Sequence, residues 1–345
     1  MNYKMMGRFI AQILLLEAIF MIPASFISLY CGEYRSVFAF LGTMALLVLI
    51  SGVLWFFCKA AKSNFYATDG MVCVALSWLI LSLAGSLPFL FSGAIPRFID
   101  ALFEIVSGFT TTGASILPAV EGLPKGILYW RSFSHWVGGM GVLVFLLAIV
   151  PSTDQGKGFT MHLLRAESPG PSVGKLVPKM RKTAAILYFL YIILTIADFC
   201  FLLLGGMPAF EAVCNAFGTA GTGGFGVRND SFASYSPYLQ NVTTVFMFLF
   251  GVNFSCYYLL MLRQWGAVFK DEELRAYFGI ALGSALLITW NVRGLYGSWG
   301  ETFRHAAFQV SSIMTTTGFA TTDFDLWPSF SKTILLCLMV VGASA

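Results

Sequence analysis

The chain has 345 residues, of which 57% are hydrophobic and only 11% are charged, and its mean hydropathy is +0.78. This composition excludes an ordinary soluble globular protein and predicts an all-α polytopic membrane protein in contact with a lipid bilayer. The net charge of +4 fits a bias of Lys and Arg toward one side of the membrane, which places the N-terminus in the cytoplasm. No nucleic-acid partner is expected.

Apolar runs close to the roughly 20 residues that a bilayer core requires predict about eight transmembrane helices. These runs cover residues 9–30, 37–58, 71–92, 128–150, 183–205, 237–262, 275–292 and 329–345. The organisation that follows is a leading pair of helices without a pore loop, then three repeating units. The pair covers residues 1–66, and the units cover 67–156, 157–266 with a preceding cytoplasmic loop, and 267–345, which is incomplete at its C-terminal end.

Glu17 lies within the first predicted span. An acidic residue at membrane depth is a functional candidate by default. The alternative is a carboxyl group that a peripheral helix pair hides by pairing or protonation. The sequence leaves both readings open.

A polar Thr/Gly turn occurs three times between apolar runs. Phe109-Thr110-Thr111-Thr112-Gly113 returns as Met314-Thr315-Thr316-Thr317-Gly318, and a glycine-rich relative covers Phe217 to Gly226. Each turn follows a short amphipathic segment with a similar tag, namely Phe103-Glu104, Phe210-Glu211 and Phe308-Gln309. Non-helical backbone at membrane depth must be buried in protein or line water. A short helix, a polar turn and a new apolar segment therefore predict three re-entrant pore loops.

Turns of this kind can direct successive carbonyl oxygens toward one axis, where they replace the hydration shell of a monovalent cation. Glycine supplies backbone conformations that residues with a Cβ avoid. The short helix would point its negative C-terminal end at the cation, and Glu104 and Glu211 are expected near the positive N-terminal ends. The alternative is ordinary packing, in which Thr and Gly let helices approach. Two identical Thr-Thr-Thr-Gly copies at equivalent positions favour the pore.

Enzyme motifs are weak in this chain. Gly221 to Gly226 matches the GxGxxG dinucleotide pattern, but that pattern needs a preceding buried strand, and an amphipathic helix is predicted there. The histidines, His135, His162 and His305, fall in different segments, so no nucleophile, His and acid are expected at one depth. We therefore predict no catalytic residue, no organic cofactor and no enzyme activity.

Four motifs resemble the TrkH branch of the Trk/Ktr/HKT potassium transporters. They are Phe109 to Gly113, Trp136-Val137-Gly138-Gly139-Met140-Gly141, Arg165-Ala166-Glu167-Ser168-Pro169-Gly170-Pro171, and Thr315 to Phe319. The resemblance implies a potassium-translocating subunit of the bacterial cytoplasmic (inner) membrane, with the potassium ion as its substrate. It also implies a homodimer that docks a cytosolic nucleotide-binding regulatory subunit similar to TrkA.

By the same resemblance, potassium would be bound by backbone carbonyls of three filter segments. Their residues are Thr111, Thr112 and Gly113, then Ala220, Gly221, Thr222, Gly223 and Gly224, and finally Thr316, Thr317 and Gly318. Additional residues blur the register of the second segment, so either Gly223 or Gly224 is its filter glycine. Gly113 stands where some plant relatives that pass sodium have Ser, which favours potassium over sodium.

Members of this family form a pore from four units in one subunit, whereas three are visible here. The resemblance therefore implies a form truncated before its fourth unit. A non-conducting membrane scaffold or regulatory subunit, or a less selective potassium/sodium path, is the alternative function. The sequence does not distinguish passive conduction from symport with sodium or protons.

Overall fold

The computed structural model describes residues 3–58, 67–139, 141 and 180–342. Within these ranges every regular element is a helix, which confirms the all-α class. The α-helices are α1 (Tyr3–Phe20), α2 (Ile22–Tyr30), α3 (Tyr34–Phe57), α4 (Ala67–Ser92), α5 (Phe98–Phe109), α6 (Lys125–Gly139), α7 (Met180–Leu204), α8 (Ala209–Ala220), α9 (Pro237–Phe250), α10 (Phe254–Met261), α11 (Trp265–Lys270), α12 (Glu272–Val292), α13 (Trp299–Met314) and α14 (Ser329–Val341). A 3-10 turn, Phe324–Leu326, lies between the last two.

Several of these helices are long and apolar enough to cross a bilayer. The four that qualify on their own are Tyr3–Tyr30, Tyr34–Phe57, Asp69–Ser92 and Ala185–Leu204, and α9 with α10 adds a fifth if that bent pair is one span. The chain is therefore a multi-pass membrane protein. The predicted span at 128–150 lies partly outside the described residues. Helix α12 and the 13-residue α14 occupy the last two predicted spans but are not among those that qualify.

The chain divides into two compact units. The first comprises the described residues of Met1–Phe109, Ala114–Pro118 and Gly122–Tyr188, and the second those of Thr110–Gly113, Ala119–Glu121 and Phe189–Ala345. The predicted pore-unit boundaries do not coincide with this division and stay a prediction.

In the first unit, α1 packs against α3 and α4, and α5 packs against α4 and α6. Burial of large apolar side chains such as Phe40, Phe89 and Trp130 supplies the packing of this unit. Trp130 also donates its indole N–H to the carbonyl of Gly85 at 2.9 Å, so a buried polar group of the side chain is satisfied. The helix that carries Trp130 is thereby fixed against α4.

A carboxylate fixes the start of α6. Glu33, which immediately precedes α3, accepts the backbone N–H groups of Lys125 at 2.6 Å and Gly126 at 3.2 Å. A negative charge is favourable at the positive end of a helix. A Cβ at Gly126 would overlap the Ser28 hydroxyl and lie 2.8 Å from the carbonyl oxygen of Ala24. Only glycine lets α2 and α6 approach this closely.

In the second unit, α13 packs against α9, α12 and α14. Three wholly buried phenylalanines join the loops that follow α8 and α13. The Phe232 ring lies 4.7 Å from that of Phe319 and 5.7 Å from that of Phe308, and the Phe232 N–H donates to the carbonyl of Ala320 at 2.9 Å. The two loops are therefore packed as one piece.

The predicted span at 237–262 consists of two helices, bent by 85° between Phe250 and Phe254. Asn253 caps the second of them, because its side-chain oxygen accepts the N–H of Ser255 at 2.9 Å. A Cβ at Gly251 would lie 2.5 Å from the Tyr277 hydroxyl and 2.7 Å from the Thr315 side chain. The break thus brings α12 and the end of α13 close to the backbone of residue 251.

Candidate functional site

Each of the three Thr/Gly turns begins directly after a short helix. The turns follow α5, α8 and α13, of 12, 12 and 16 residues. In every turn the second residue has a positive φ, and so does the glycine two positions later. The φ angles are 53° at Thr111 and 75° at Gly113, 49° at Thr222 and 77° at Gly224, and 59° at Thr316 and 87° at Gly318. A left-handed Thr is uncommon, so its presence in all three turns shows one shared backbone design.

Hydrogen bonds confirm the register of the second turn. The N–H of Thr222 donates to the carbonyl of Thr219 at 3.1 Å, as that of Thr316 donates to Ile313 at 3.1 Å. Gly224 follows the Thr by two positions, as Gly318 does. By backbone geometry, Gly224, and not Gly223, is equivalent to Gly113 and Gly318. Which of the two glycines takes part in a filter stays a prediction.

This register changes the alignment of the helices that precede the turns. Phe103 and Phe308 each stand ten positions before the equivalent glycine, whereas Phe210 stands fourteen before it. Phe210 therefore lies about one helical turn before the position that is equivalent to Phe103 and Phe308. The structurally equivalent positions, nine before each glycine, carry buried polar side chains, namely Glu104, Asn215 and Gln309.

The three turns lie against one another within the second unit. A Cβ at Gly113 would overlap the carbonyl oxygen of Gly223, and a Cβ at Gly224 would overlap that of Thr317. A Cβ at Gly318 would meet no atom of the described chain within 4 Å. Close approach of neighbouring backbones, together with a positive φ, requires glycine at the first two positions. Each of these two glycines thus lies against a carbonyl oxygen of a neighbouring turn.

Threonine side chains brace two of the turns. The hydroxyls of Thr110 and Thr112 lie 2.8 Å apart, and those of Thr315 and Thr317 lie 2.7 Å apart. Glycines occupy both equivalent positions of the second turn, Gly221 and Gly223. The second turn therefore cannot form this brace.

Glu104 is not at the N-terminal end of its helix, as the sequence argument expected, but in the middle of α5, where its side chain is wholly buried. It accepts the Arg131 Nε–H at 2.5 Å, the Ser115 hydroxyl at 2.9 Å and the N–H of Ile116 at 3.0 Å. The carboxylate thus joins α5, α6 and the segment beyond the first turn.

Glu211 does lie in the first turn of its helix, α8. It accepts the Arg228 Nε–H at 3.0 Å and the Tyr235 hydroxyl at 2.5 Å, and Arg228 lies 4.2 Å above the Tyr235 ring. Burial, followed by the hydrogen bond to Glu211, raises the pKa of Tyr235, so this hydroxyl stays a donor at neutral pH. We call Glu211, Arg228 and Tyr235 the rim cluster.

The other polar candidates have the following surroundings. His305 is hydrogen-bonded to Thr321 at 2.8 Å and stacked on Tyr296, and His162 falls outside the described residues. The segment before Gly221 is the helix α8, not the strand that a dinucleotide fingerprint requires. Glu17 is buried, and its two carboxyl oxygens have no hydrogen-bond partner among the described residues.

Sequence reasoning missed one buried acid. Asp198, in the span that ends at Leu204, is wholly buried, and neither of its carboxyl oxygens has a hydrogen-bond partner among the described residues. The rule that flagged Glu17, an acid within an apolar span, also applies to Asp198.

The chain is similar to known potassium transport proteins. It matches the family model of TrkH, described as a cation transport protein, over residues 36–289. It is 36% identical to the Trk system potassium uptake protein TrkH of Salmonella typhimurium over 314 residues, which cover 89% of this chain and 64% of that relative. It is 33% identical to the Trk system potassium uptake protein TrkG of Escherichia coli (strain K12), with 95% and 68% covered. The chain thus spans about two thirds of the length of these relatives.

The fold is similar to a solved structure as well. The crystal structure of the potassium transporter TrkH from Vibrio parahaemolyticus superposes with a TM-score of 0.84 at 32% identity, covering 99% of this chain and 71% of that one. The sequence motifs, the repeated turn geometry and the fold all agree with the family match. The chain belongs to the TrkH family of cation transport proteins.

Proposed function

We propose that this chain is a potassium-translocating subunit of a membrane potassium uptake system, in which cations pass a filter of backbone carbonyls. The observation that carries the proposal is the repeated turn, with Gly113 and Gly224 each against a carbonyl oxygen of the next turn. Carbonyl oxygens held in this way can replace the water of a monovalent cation. The names of the relatives, Trk system potassium uptake proteins, support potassium as the cation.

Helix dipoles support the same proposal. Helices α5, α8 and α13 each end at the residue immediately before a turn. The C-terminal end of a helix carries a partial negative charge, which favours a cation at the turns. Passage of a cation needs no covalent chemistry, so the proposed function is not enzymatic.

The proposal extends to location and partners. Membership in the family supports the bacterial inner membrane, a cytoplasmic N-terminus, a homodimer, and a cytosolic nucleotide-binding regulatory subunit of the TrkA kind. The three turns act as re-entrant pore loops in this proposal, with potassium bound by Thr111 to Gly113, Gly221 to Gly224 and Thr316 to Gly318.

The test is rubidium uptake into proteoliposomes that contain the complete gene product. Gly224→Ala is expected to reduce uptake at least about tenfold, because an Ala at positive φ is strained and its Cβ would overlap the Thr317 carbonyl. Gly226→Ala is the matched control, since the nearest atom to its Cβ would be 3.7 Å away. This control should transport as the unsubstituted protein does.

The two alternatives give different results in the same assay. A non-conducting scaffold predicts no rubidium uptake by the complete protein, or an uptake that Gly224→Ala leaves unchanged. A less selective path predicts that sodium competes with rubidium at equal concentration. Either result would contradict a potassium filter, provided that the variants elute as folded protein in detergent.

A further inference from the structure

The segments that follow the three Thr/Gly turns meet at residues 229–232, which we call the clasp. The clasp begins five positions after Gly224, the glycine of the second turn. It forms hydrogen bonds to the segment Ala119–Glu121, which follows the first turn, and to Ala320, which follows the third. All of these residues belong to the second compact unit. The clasp is therefore one piece of backbone to which the other two segments are attached.

Asn229 makes the attachment to the segment after the first turn. Its side-chain oxygen Oδ1 accepts the N–H of Val120 at 2.8 Å, and its own backbone N–H donates to Oε1 of Glu121 at 3.0 Å. Val120 is buried, so its N–H is costly to leave without an acceptor. The bond to Glu121 is exposed, where water competes with it. The side chain of Asn229 thus supplies the stronger of the two bonds.

The other end of the clasp is attached to the segment after the third turn. The Ser231 hydroxyl accepts the N–H of Ala320 at 3.2 Å, and the Phe232 N–H donates to the carbonyl of Ala320 at 2.9 Å. Ala320 lies two positions after Gly318. Ser231 has a φ of 55°, which is uncommon for a residue with a Cβ. Asn229 is therefore held on a base that is itself fixed beside the third turn.

The turns are sensitive to their relative position because their backbones touch. A Cβ at Gly113 would overlap the carbonyl oxygen of Gly223, and a Cβ at Gly224 would overlap that of Thr317. A shift of one turn against the next would move these carbonyl oxygens. Selection among monovalent cations depends on the number and placement of such oxygens. A bond that fixes the first turn relative to the second can therefore affect selectivity without touching the cation.

We propose that Asn229 is a positioning residue of the ion path, which ties the segment after the first turn to the clasp and so maintains the discrimination between potassium and sodium. It acts through the hydrogen bonds to Val120 and Glu121. The inference rests on the proposed function, since it concerns the shape of the same filter.

The test measures rubidium uptake by the complete gene product in proteoliposomes, with sodium added as a competitor. Asn229→Leu keeps a similar volume and removes the acceptor for the N–H of Val120. It is expected to lower the sodium concentration that halves rubidium uptake by about three- to tenfold, the effect of one lost hydrogen bond on an equilibrium. Glu121→Leu should cause a smaller change in the same direction, because the bond that it removes is exposed.

An exchange of the two polar groups tests whether the hydrogen bonds matter. The double variant Glu121→Gln/Asn229→Asp keeps an acceptor oxygen at both positions and leaves the total charge unchanged. It should show the sodium competition of the unsubstituted protein. Asn241→Leu is the matched control, because it makes the same substitution at an exposed Asn of α9. This control should also leave the competition unchanged.

A role of the Glu121 charge alone would give a different result. A negative charge near the turns raises the local concentration of sodium and potassium alike. Glu121→Gln would then reduce rubidium uptake at low salt and leave the sodium competition unaltered, and Asn229→Leu would have no effect on either. That pattern would contradict the proposal.

Three further results would overturn it. Unchanged sodium competition in Asn229→Leu would show that this side chain does not shape the filter. Equal impairment of Asn229→Leu and the exchange variant would exclude the acceptor role. A lower melting temperature with unaltered competition would make Asn229 a purely structural residue. If the unsubstituted protein takes up no rubidium, the proposed function itself fails, and this inference fails with it.

Discussion

Two carboxylate–arginine pairs, one in each compact unit, hold a short helix that precedes a Thr/Gly turn. The side chains of the two pairs differ greatly in how far they are buried. In the pair of Glu104 and Arg131 the side chains are 0% and 4% exposed. In the rim cluster, Glu211 and Arg228 are 22% and 33% exposed. Water and salt screen the second pair and not the first. Similar distances therefore conceal unequal contributions to stability.

The largest difference is expected on removing one partner of the buried pair. Arg131→Met leaves Glu104 buried without its cation, which costs about 3–5 kcal/mol in comparable buried pairs. The melting temperature of the protein in detergent should fall steeply. It is measured by size-exclusion chromatography of heated samples. The double variant Arg131→Met/Glu104→Gln removes both charges and should recover most of the loss. A single variant as stable as the parent would contradict the assignment of a buried ion pair.

A smaller effect is expected at the tyrosine of the rim cluster. Tyr235→Phe removes the donor to Glu211 and the acceptor for the Asn215 amide at 3.2 Å. Loss of a hydrogen bond to a charged group costs about 1.5 kcal/mol. Tyr238→Phe is the control, because Tyr238 is 45% exposed. Equal melting temperatures for the two variants would show that the hydroxyl of Tyr235 is not used.

The same tyrosine predicts a pH dependence. The pKa of Tyr235 is higher in the folded protein than its ordinary value of about 10. A group of this kind contributes its full stabilisation below pH 10 and loses it as the pH rises further toward the folded pKa. The melting temperature of the parent should therefore fall between pH 9.5 and 11 by more than that of Tyr235→Phe. Parallel falls in both proteins would rule out this contribution.

The smallest effect is expected at the partly exposed Arg228. Arg228→Gln is expected to cost no more than about 1 kcal/mol, since water competes for a partly exposed pair. This difference should vanish when NaCl is raised from 0.05 to 0.5 M. The effect of Arg131→Met should persist over that range. A salt-insensitive Arg228→Gln would mean that the rim cluster behaves as a buried one.

The sequence was informative where short motifs determine local backbone. The repeated Thr-Thr-Thr-Gly pattern predicted the turns after α5 and α13, and both show the same alternation of positive φ angles. It left the register of the second turn open between Gly223 and Gly224, because these residues carry no side chain to distinguish them. Phe210 stands fourteen positions before Gly224, whereas Phe103 and Phe308 stand ten before Gly113 and Gly318. Whether cations bind at these carbonyls stays a prediction.

Long-range partners were beyond sequence reasoning. Arg131 lies 27 positions from Glu104, and nothing local connects them. The bend at 251–253 had local signals, a glycine and a capping Asn, but the largely apolar composition of residues 237–261 concealed them. Apolar composition predicts that a segment enters the membrane, and it is insensitive to whether the segment crosses straight.

The contact of Glu33 with the start of α6 can form only after the ribosome has synthesised Lys125. The carboxylate and the N–H of Lys125 are 92 positions apart. At about 5–20 residues per second, a ribosome needs roughly 5–18 seconds to synthesise that interval. During this delay α2 has neither the N-terminus of α6 beside Glu33 nor Gly126 against Ser28. The N-terminal helices must therefore wait in the membrane for a later segment before this corner of the protein can close.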